Sequence, residues 1–323
     1  MYTCEFEKDL TGKLIVDKEK RRLFMLKVDK VSKYYGDFLA VDNLSFEVKE
    51  GEIFGLLGVN GAGKTTTFRM IMKLLDDYSG NITLNNKKID YNITNEIGFL
   101  TEERSLLTKL SVKEQILFYG NLKNMKDEEI LDKLDELLKL FKIEEYKDKK
   151  IKELSKGNQQ KIQFISALIN SPKLLILDEP FSGLDPINVE LFKEVILDLK
   201  KKGTIIIFSS HRMEHVELFC EKLVILLKGK SVLSGYIKDI KKDYRKKNVI
   251  VNGDINIKEV NKIDGVLSTD KVGDDYIIKI RDENVISNIF KYVSNKKNIV
   301  KFLVEEPSLN EIFVSIVGDE YEK

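Results

Sequence analysis

Eight consecutive residues, Gly58-Val59-Asn60-Gly61-Ala62-Gly63-Lys64-Thr65, carry the most specific chemistry in the chain. They fit the P-loop pattern G-x-x-x-x-G-K-[ST] in full. Glycines at these positions let backbone N–H groups turn inward around phosphate oxygens. Lys64 would supply a point charge to β- and γ-phosphates, and the Thr65 hydroxyl is suited to Mg²⁺. The candidate phosphate-binding residues are therefore Gly58, Asn60, Gly61, Gly63, Lys64, Thr65 and Thr66. A second motif, Leu174-Leu175-Ile176-Leu177-Asp178-Glu179, is four aliphatics ending on two acids. A buried strand that ends this way sets its carboxylates at the sheet edge where α/β proteins bind ligands. Asp178 suits Mg²⁺, through water. Glu179 suits the general base that polarises an attacking water. Alone, such acids would read as a solvated strand end. The P-loop upstream makes them a phosphoryl-transfer pair, because P-loop enzymes need such an acid.

These residues require strands that end on a common edge. Ile53 to Leu57 is a continuous apolar run just before the Gly-rich turn, and Thr66 to Leu75 reads as the helix after it. Leu26 to about Val48 partly alternates, as half-buried strands do. Ile97–Leu100, Leu174–Leu177, Thr204–Phe208 and Leu223–Leu227 read as further buried strands. Between Ser111 and Leu168 the period turns helical, with Ile130, Leu131, Leu134, Leu137, Leu138 and Phe141 on one stripe. The expected fold class is α/β: a parallel core sheet with a helical insert. Gly229 ends the last strong strand. Past about residue 238 a Lys-rich helical segment leads into a small α+β domain of ferredoxin-like pattern. Its strands are expected at 249–251, 266–268, 276–280 and 299–304, with a helix at 284–293. The expected divisions are an appendage at 1–24, a nucleotide domain at 25–238 with a helical subdomain at about 103–168, and an accessory domain at 239–323.

Bulk composition narrows the classes. In 323 residues, 54 Lys plus Arg against 53 Asp plus Glu leave a net charge of +1, which gives no electrostatic case for nucleic acid. The basic runs at Lys20–Arg22 and Lys241–Lys247 read as solvated faces. Cys4 and Cys220 stand far apart and read as free thiols of a reducing cytosol. No apolar run approaches the roughly 18 residues that span a bilayer, and no signal-peptide core is present. A membrane role would come through a partner.

Between the two motifs lies Leu154-Ser155-Lys156-Gly157-Asn158-Gln159, which resembles the signature of the ATP-binding-cassette (ABC) family, usually written LSGGQ. After the acids, Ser182-Gly183-Leu184-Asp185 resembles the family's D-loop and Ser210-His211 its switch histidine. Tyr35-Gly36 sits where the family keeps an adenine-stacking aromatic; Tyr34 beside it is the alternative. The motifs occur in family order from about Met25 to Lys230. The resemblance implies a P-loop ABC cassette with a parallel core, an antiparallel β subdomain and a helical subdomain. It also implies ATP and Mg²⁺ as ligands and His211 at the γ-phosphate. Ser155 and Gly157 would clamp ATP held by a second cassette in a head-to-tail homodimer or heterodimer. Asp185 would organise that interface. From the residues alone, Ser155 is an N-cap for a helix starting near Asn158. His215, four residues past His211, belongs to no metal site.

Departures from the family pattern matter too. Val59 replaces a proline, and Lys156 and Asn158 replace a glycine and a glutamine. In Ile97-Gly98-Phe99-Leu100-Thr101-Glu102-Glu103-Arg104 the family's glutamine, which touches Mg²⁺ and senses the membrane partner, is matched by Glu102. A carboxylate there would bind Mg²⁺ more strongly than an amide. Glu-Glu-Arg, together with Glu306-Pro307-Ser308-Leu309-Asn310-Glu311-Ile312-Phe313 near the end, resembles exporter cassettes with a C-terminal extension, including sodium and antibiotic exporters. The expected function is an ATPase subunit on the cytoplasmic membrane face, powering export through a separate permease. The alternative is a soluble ABC ATPase with a regulatory or ribosome-associated role. Glu179 and His211 argue against a non-hydrolysing regulator.

Overall fold

The computed structural model describes residues 7–8, 14–15, 24–103, 105–244 and 246–321. The appendage expected at 1–24, with Cys4, therefore lies almost wholly outside the described residues. The alternating stretch after Met25 forms two long antiparallel strands, β1 (Met25–Tyr35) and β2 (Phe38–Lys49). Gly36, at φ +57, makes the tight turn between them. β3 (Ile53–Gly58) follows, then helix α1 (Lys64–Ile71). This helix is shorter than expected: Lys73 takes φ +59 and Leu74 is exposed, so the chain turns out before Leu75. β4 (Ser79–Leu84), β5 (Lys87–Lys88) and β6 (Ile97–Leu100) come next.

Three helices then form the expected helical stretch: α2 (Val112–Leu122), α3 (Asp127–Phe141) and α4 (Lys156–Leu168). Ser111 and Glu114 close a capping box on α2. The chain returns through β7 (Leu174–Asp178), α5 (Pro186–Lys201), β8 (Ile205–Ser209), α6 (Met213–Phe219) and β9 (Lys222–Leu227). A strand missed in the sequence, β10 (Lys230–Tyr236), completes a hairpin with β9.

These strands make one sheet in the order β5-β4-β1-β2-β10-β9-β3-β8-β7-β6. β9, β3, β8, β7 and β6 run parallel. Their side chains alternate between two cores, which is why the strands read as unbroken apolar runs. Ile53, Leu57, Leu175, Leu177, Ile206 and Phe208 face α2–α6. Phe54, Leu56, Leu174, Ile176, Ile205 and Ile207 face α1 and the antiparallel strands. On the first side Phe164 of α4 packs on Phe192 of α5 at 4.8 Å, and Phe181 lies 5.8 Å from Phe208. This aromatic layer ties α4 to the strand end that bears the two acids.

The C-terminal segment begins with α7 (Ile237–Asp243) and runs β11 (Lys247–Asn252), α8 (Ile257–Val260), β12 (Val266–Val272), β13 (Asp275–Ile280), α9 (Asn284–Ser294), β14 (Lys301–Glu305) and α10 (Leu309–Tyr321). Its sheet, all antiparallel, has the order β12-β13-β11-β14. That βαββαβ arrangement is ferredoxin-like, as the pattern of short strands predicts. Leu309 of α10 joins the main core, and its N–H donates to Glu217 of α6.

Candidate active site

The P-loop connects β3 to α1 under tight steric limits. Gly63 takes φ +106, and a Cβ there would stand 2.6 Å from the Ala40 carbonyl oxygen. Gly58 is equally closed, 2.5 Å from the Leu226 oxygen, whereas Gly61 faces open space. The N-terminus of α1 has no capping side chain and no acid in its first turn. Its free N–H groups and positive dipole end suit an anion. Thr65 is exposed at that end and Thr66 half-buried. Asn60 is exposed on the loop. Lys64 Nζ folds back to donate to the carbonyl oxygens of Gly58 (2.7 Å) and Val59 (3.2 Å).

Across the sheet edge, β7 and β8 lie in parallel register with Asp178 beside Ser209. The Ser209 hydroxyl donates to Asp178 Oδ1 at 2.5 Å, and the Ser210 hydroxyl to Glu179 Oε2 at 3.3 Å. Glu179 takes φ +50, a left-handed conformation costly for a non-glycine residue, of order 1–3 kcal/mol. The turn aims its carboxylate back into the site, where Oε1 is buried without a hydrogen-bond partner. His211 Nε2 stands 3.6 Å from that oxygen. Burial pushes both the Asp178 and Glu179 carboxyls above their ordinary range. Burial lowers Lys64, while Asp178, Glu179 and Glu102 pull it back up. Glu102, exposed on its loop, also raises Asp178 by its charge. The structure thus brings Lys64, Asp178, Glu179, His211 and Glu102 into one electrostatic cluster.

The remaining predicted residues are held elsewhere. Ser155 caps α4, accepting from the Asn158 N–H at 3.3 Å, so the helix begins two residues earlier than expected. Asp185 caps α5, and both its oxygens are taken by Asn188, at 2.9 and 2.6 Å. A Cβ on Gly157 would lie 3.8 Å from Asn188 Nδ2, so the two helix starts are neighbours. Among the described residues no hydrogen bond or ion pair joins Ser155, Gly157 or Asp185 to the Lys64 cluster. Lys156 is exposed. Tyr34 and Tyr35, at the end of β1, are both exposed. Lys33 Nζ lies 5.0 Å from the Tyr35 ring centre and pairs with Asp77. His215 is buried edge-on against Phe181.

Sequence reasoning missed Gln163. From α4 its Nε2 donates to the Thr101 carbonyl and hydroxyl (2.9 and 2.8 Å) and to the Glu103 carbonyl (3.2 Å). It grips the backbone on both sides of Glu102. Its position three residues past Gln160, on a helix whose other buried residues are mostly apolar, was the available signal.

The profile of the ABC transporter family matches residues 41–182, and that of the DrrA1-3-like ATP-binding protein C-terminal domain matches residues 235–317. An uncharacterized ABC transporter ATP-binding protein of Bacillus subtilis, YhaQ, is 49% identical over 92% of this chain and 100% of its own length. The chain belongs to the ABC transporter ATP-binding proteins. The Nod factor export ATP-binding protein I of Rhizobium etli is 31% identical over 94% of this chain and 96% of its own. A solved ATP-binding subunit of an ABC transporter is 30% identical with a TM-score of 0.64, covering 68% of this chain and 93% of that one. The cassette is an ATP-binding ATPase of the transport kind. Among the described residues no three His, Cys, Asp or Glu converge as a metal cage.

Proposed function

We propose that this cassette powers export through a separate membrane permease, as one of two cassettes that close head to tail on ATP. The observation that carries the catalytic half is the Glu179 carboxylate: strained backbone, one oxygen held by Ser210, the other buried and unpartnered beside His211. Lys64, the loop N–H groups of Gly58 to Thr66 and the Tyr35 ring would hold ATP. Thr65, Asp178 and Glu102 would hold Mg²⁺, which supplies charge neutralisation on the β- and γ-phosphates. Glu179 takes a proton from the attacking water, and His211 steadies the charge that develops on the γ-phosphate. Ser155 and Gly157 would meet the other cassette's ATP, and Asp185 orders the helix start beside them.

The permease half is supported by a cleft of about 310 Å³ between the core and the helical stretch. Leu74, Tyr91, Phe99, Leu106, Tyr119 and Lys123 line it, next to the loop that Gln163 anchors. Such a cleft lets a docked partner press on Glu102. No described helix is long and apolar enough to cross a membrane. The word export in the Rhizobium relative's name supports the direction. We place the cassette on the cytoplasmic membrane face, with divisions at 1–24, 25–238 and 239–323.

The tagged chain, drawn from detergent-solubilised membranes of its own cells, should bring a polytopic membrane protein whose presence raises its ATPase rate. A chain that turns over ATP at the same rate alone, with no such companion, would remove the permease from the reading. Glu102→Ala should raise the Mg²⁺ concentration needed for half-maximal ATPase by about tenfold, the loss of one charged oxygen ligand. An unchanged Mg²⁺ titration would remove Glu102 from the metal set.

A further inference from the structure

The two edges of the C-terminal sheet differ in kind. β12 carries Asp270 and Lys271 and is bulged between Val266 and Ser268, a guarded edge. β14 runs without irregularity against β11, from Lys301 opposite Asn252 to Glu305 opposite Asn248. It sets three apolar residues in a row, Phe302, Leu303 and Val304, and Leu303 and Val304 are 40% and 39% exposed. Phe302 lies edge-on to Phe290 of α9, itself 55% exposed. No described strand pairs with the outer side of β14. A flat apolar edge of this sort is a template for another strand.

We propose that β14 pairs antiparallel with β14 of a second copy of this chain, about a two-fold axis at Leu303. The occupant follows from the strand's own sequence, Lys301-Phe302-Leu303-Val304-Glu305. Turned against itself, it sets Lys301 opposite Glu305 at both ends, Phe302 opposite Val304, and Leu303 opposite Leu303. Opposite charges and apolar pairs directly across a ladder stabilise it, whereas parallel pairing would set like charges face to face. Among the described residues Glu305 has no ion-pair partner, and the ion-pair partner of Lys301 is Asp275. The faces match as well. Lys301, Leu303 and Glu305 share one face, Phe302 and Val304 the other. The two four-stranded sheets become one continuous sheet, with Phe290 of each copy near the joint. A two-fold contact of this kind is isologous and closes after two copies. It is separate from the cassette interface and independent of nucleotide.

The full chain without nucleotide should sediment as a dimer at tens of micromolar. Glu305→Lys, an exposed change that leaves the fold intact by circular dichroism, should weaken that dimer about tenfold or more. In a Cys4→Ser background, Leu303→Cys should form a disulfide-linked dimer under mild oxidation, and Val272→Cys on the opposite edge should not. A nucleotide-free monomer, a dimer indifferent to Glu305→Lys, or a dimer in which Leu303→Cys fails to crosslink would each overturn the proposal. So would a monomeric Leu303→Cys variant whose introduced thiol reacts with thiol reagents only after residues 1–23 are removed, because the chain's own N-terminus would then be the occupant.

Discussion

Glu179→Gln should bind ATP as the unaltered cassette does and turn it over about 10²- to 10⁴-fold more slowly, the range for losing a positioned general base. The substitution keeps the shape of the side chain and can keep the contact with Ser210. It removes the lone pairs that could take a proton, on the oxygen that the fold leaves buried and unpartnered. Phosphate contacts rest on Lys64 and the loop, so nucleotide binding has no reason to fall. A filter-binding titration set beside a steady-state ATPase assay separates the two effects; turnover within a few-fold of the parent would remove Glu179 as base. The pH dependence has a sign. A base must be unprotonated, and burial raises Glu179 above its ordinary value of 4.5. Activity should therefore fall on acidification at a higher pH than an exposed glutamate would give, and the residual activity of Glu179→Gln should lack that limb. Stability runs the other way. The folded chain holds these protons more tightly than the unfolded one, so the cost of burying Asp178 and Glu179 is present at neutral pH. It is relieved as pH falls through their raised values.

Lys64→Ala should weaken ATP binding about 10- to 100-fold, the worth of one or two units of charge-assisted hydrogen bonding in a desolvated site. Lys64 is the cation among Asp178, Glu179 and Glu102, all of which act on it electrostatically. Without it those carboxylates would repel the triphosphate as well as leave it unheld. The parent lysine must exchange its contacts with the Gly58 and Val59 carbonyls for phosphate oxygens, so a neutral side chain of any length should not rescue. Nucleotide titration by calorimetry checks this, with thermal unfolding as the control for folding. ATP affinity equal to the parent's would contradict the assignment.

What could be read from the sequence was what is contiguous in it. Gly58 to Thr65 and Leu174 to Glu179 each define a local geometry, a turn into a helix and a buried strand ending on acids. The ferredoxin-like order was legible because its short apolar strands are separated by clear breaks. What could not be read depends on neighbours from elsewhere in the chain. The Ser209 contact to Asp178 exists because β7 and β8 pair in that register, which neither segment states alone. Gln163 matters through a loop some sixty residues away in sequence. Asp185 was read from its motif as an interface residue, and the motif does not show that both its carboxylate oxygens accept from Asn188 at the start of α5. β10 escaped notice because Ser231, Ser234 and Gly235 dilute its apolar residues and its strand is mostly exposed.

The large sheet has a narrow seam. Between β2 and β10 Lys230 pairs with Asp42, next to a hydrogen bond from the Asp42 N–H to the Gly229 carbonyl. On one side lie Tyr35 and the antiparallel strands; on the other lie Lys64 and the two acids. Gly63 and Gly229 both press on Ala40 at this line. A molecule that stacks on Tyr35 with one end and reaches Lys64 with the other would span it, as a clasp spans two leaves. The nucleotide would then be mortar as well as fuel: each turnover would loosen and re-set the joint between the two halves of the sheet.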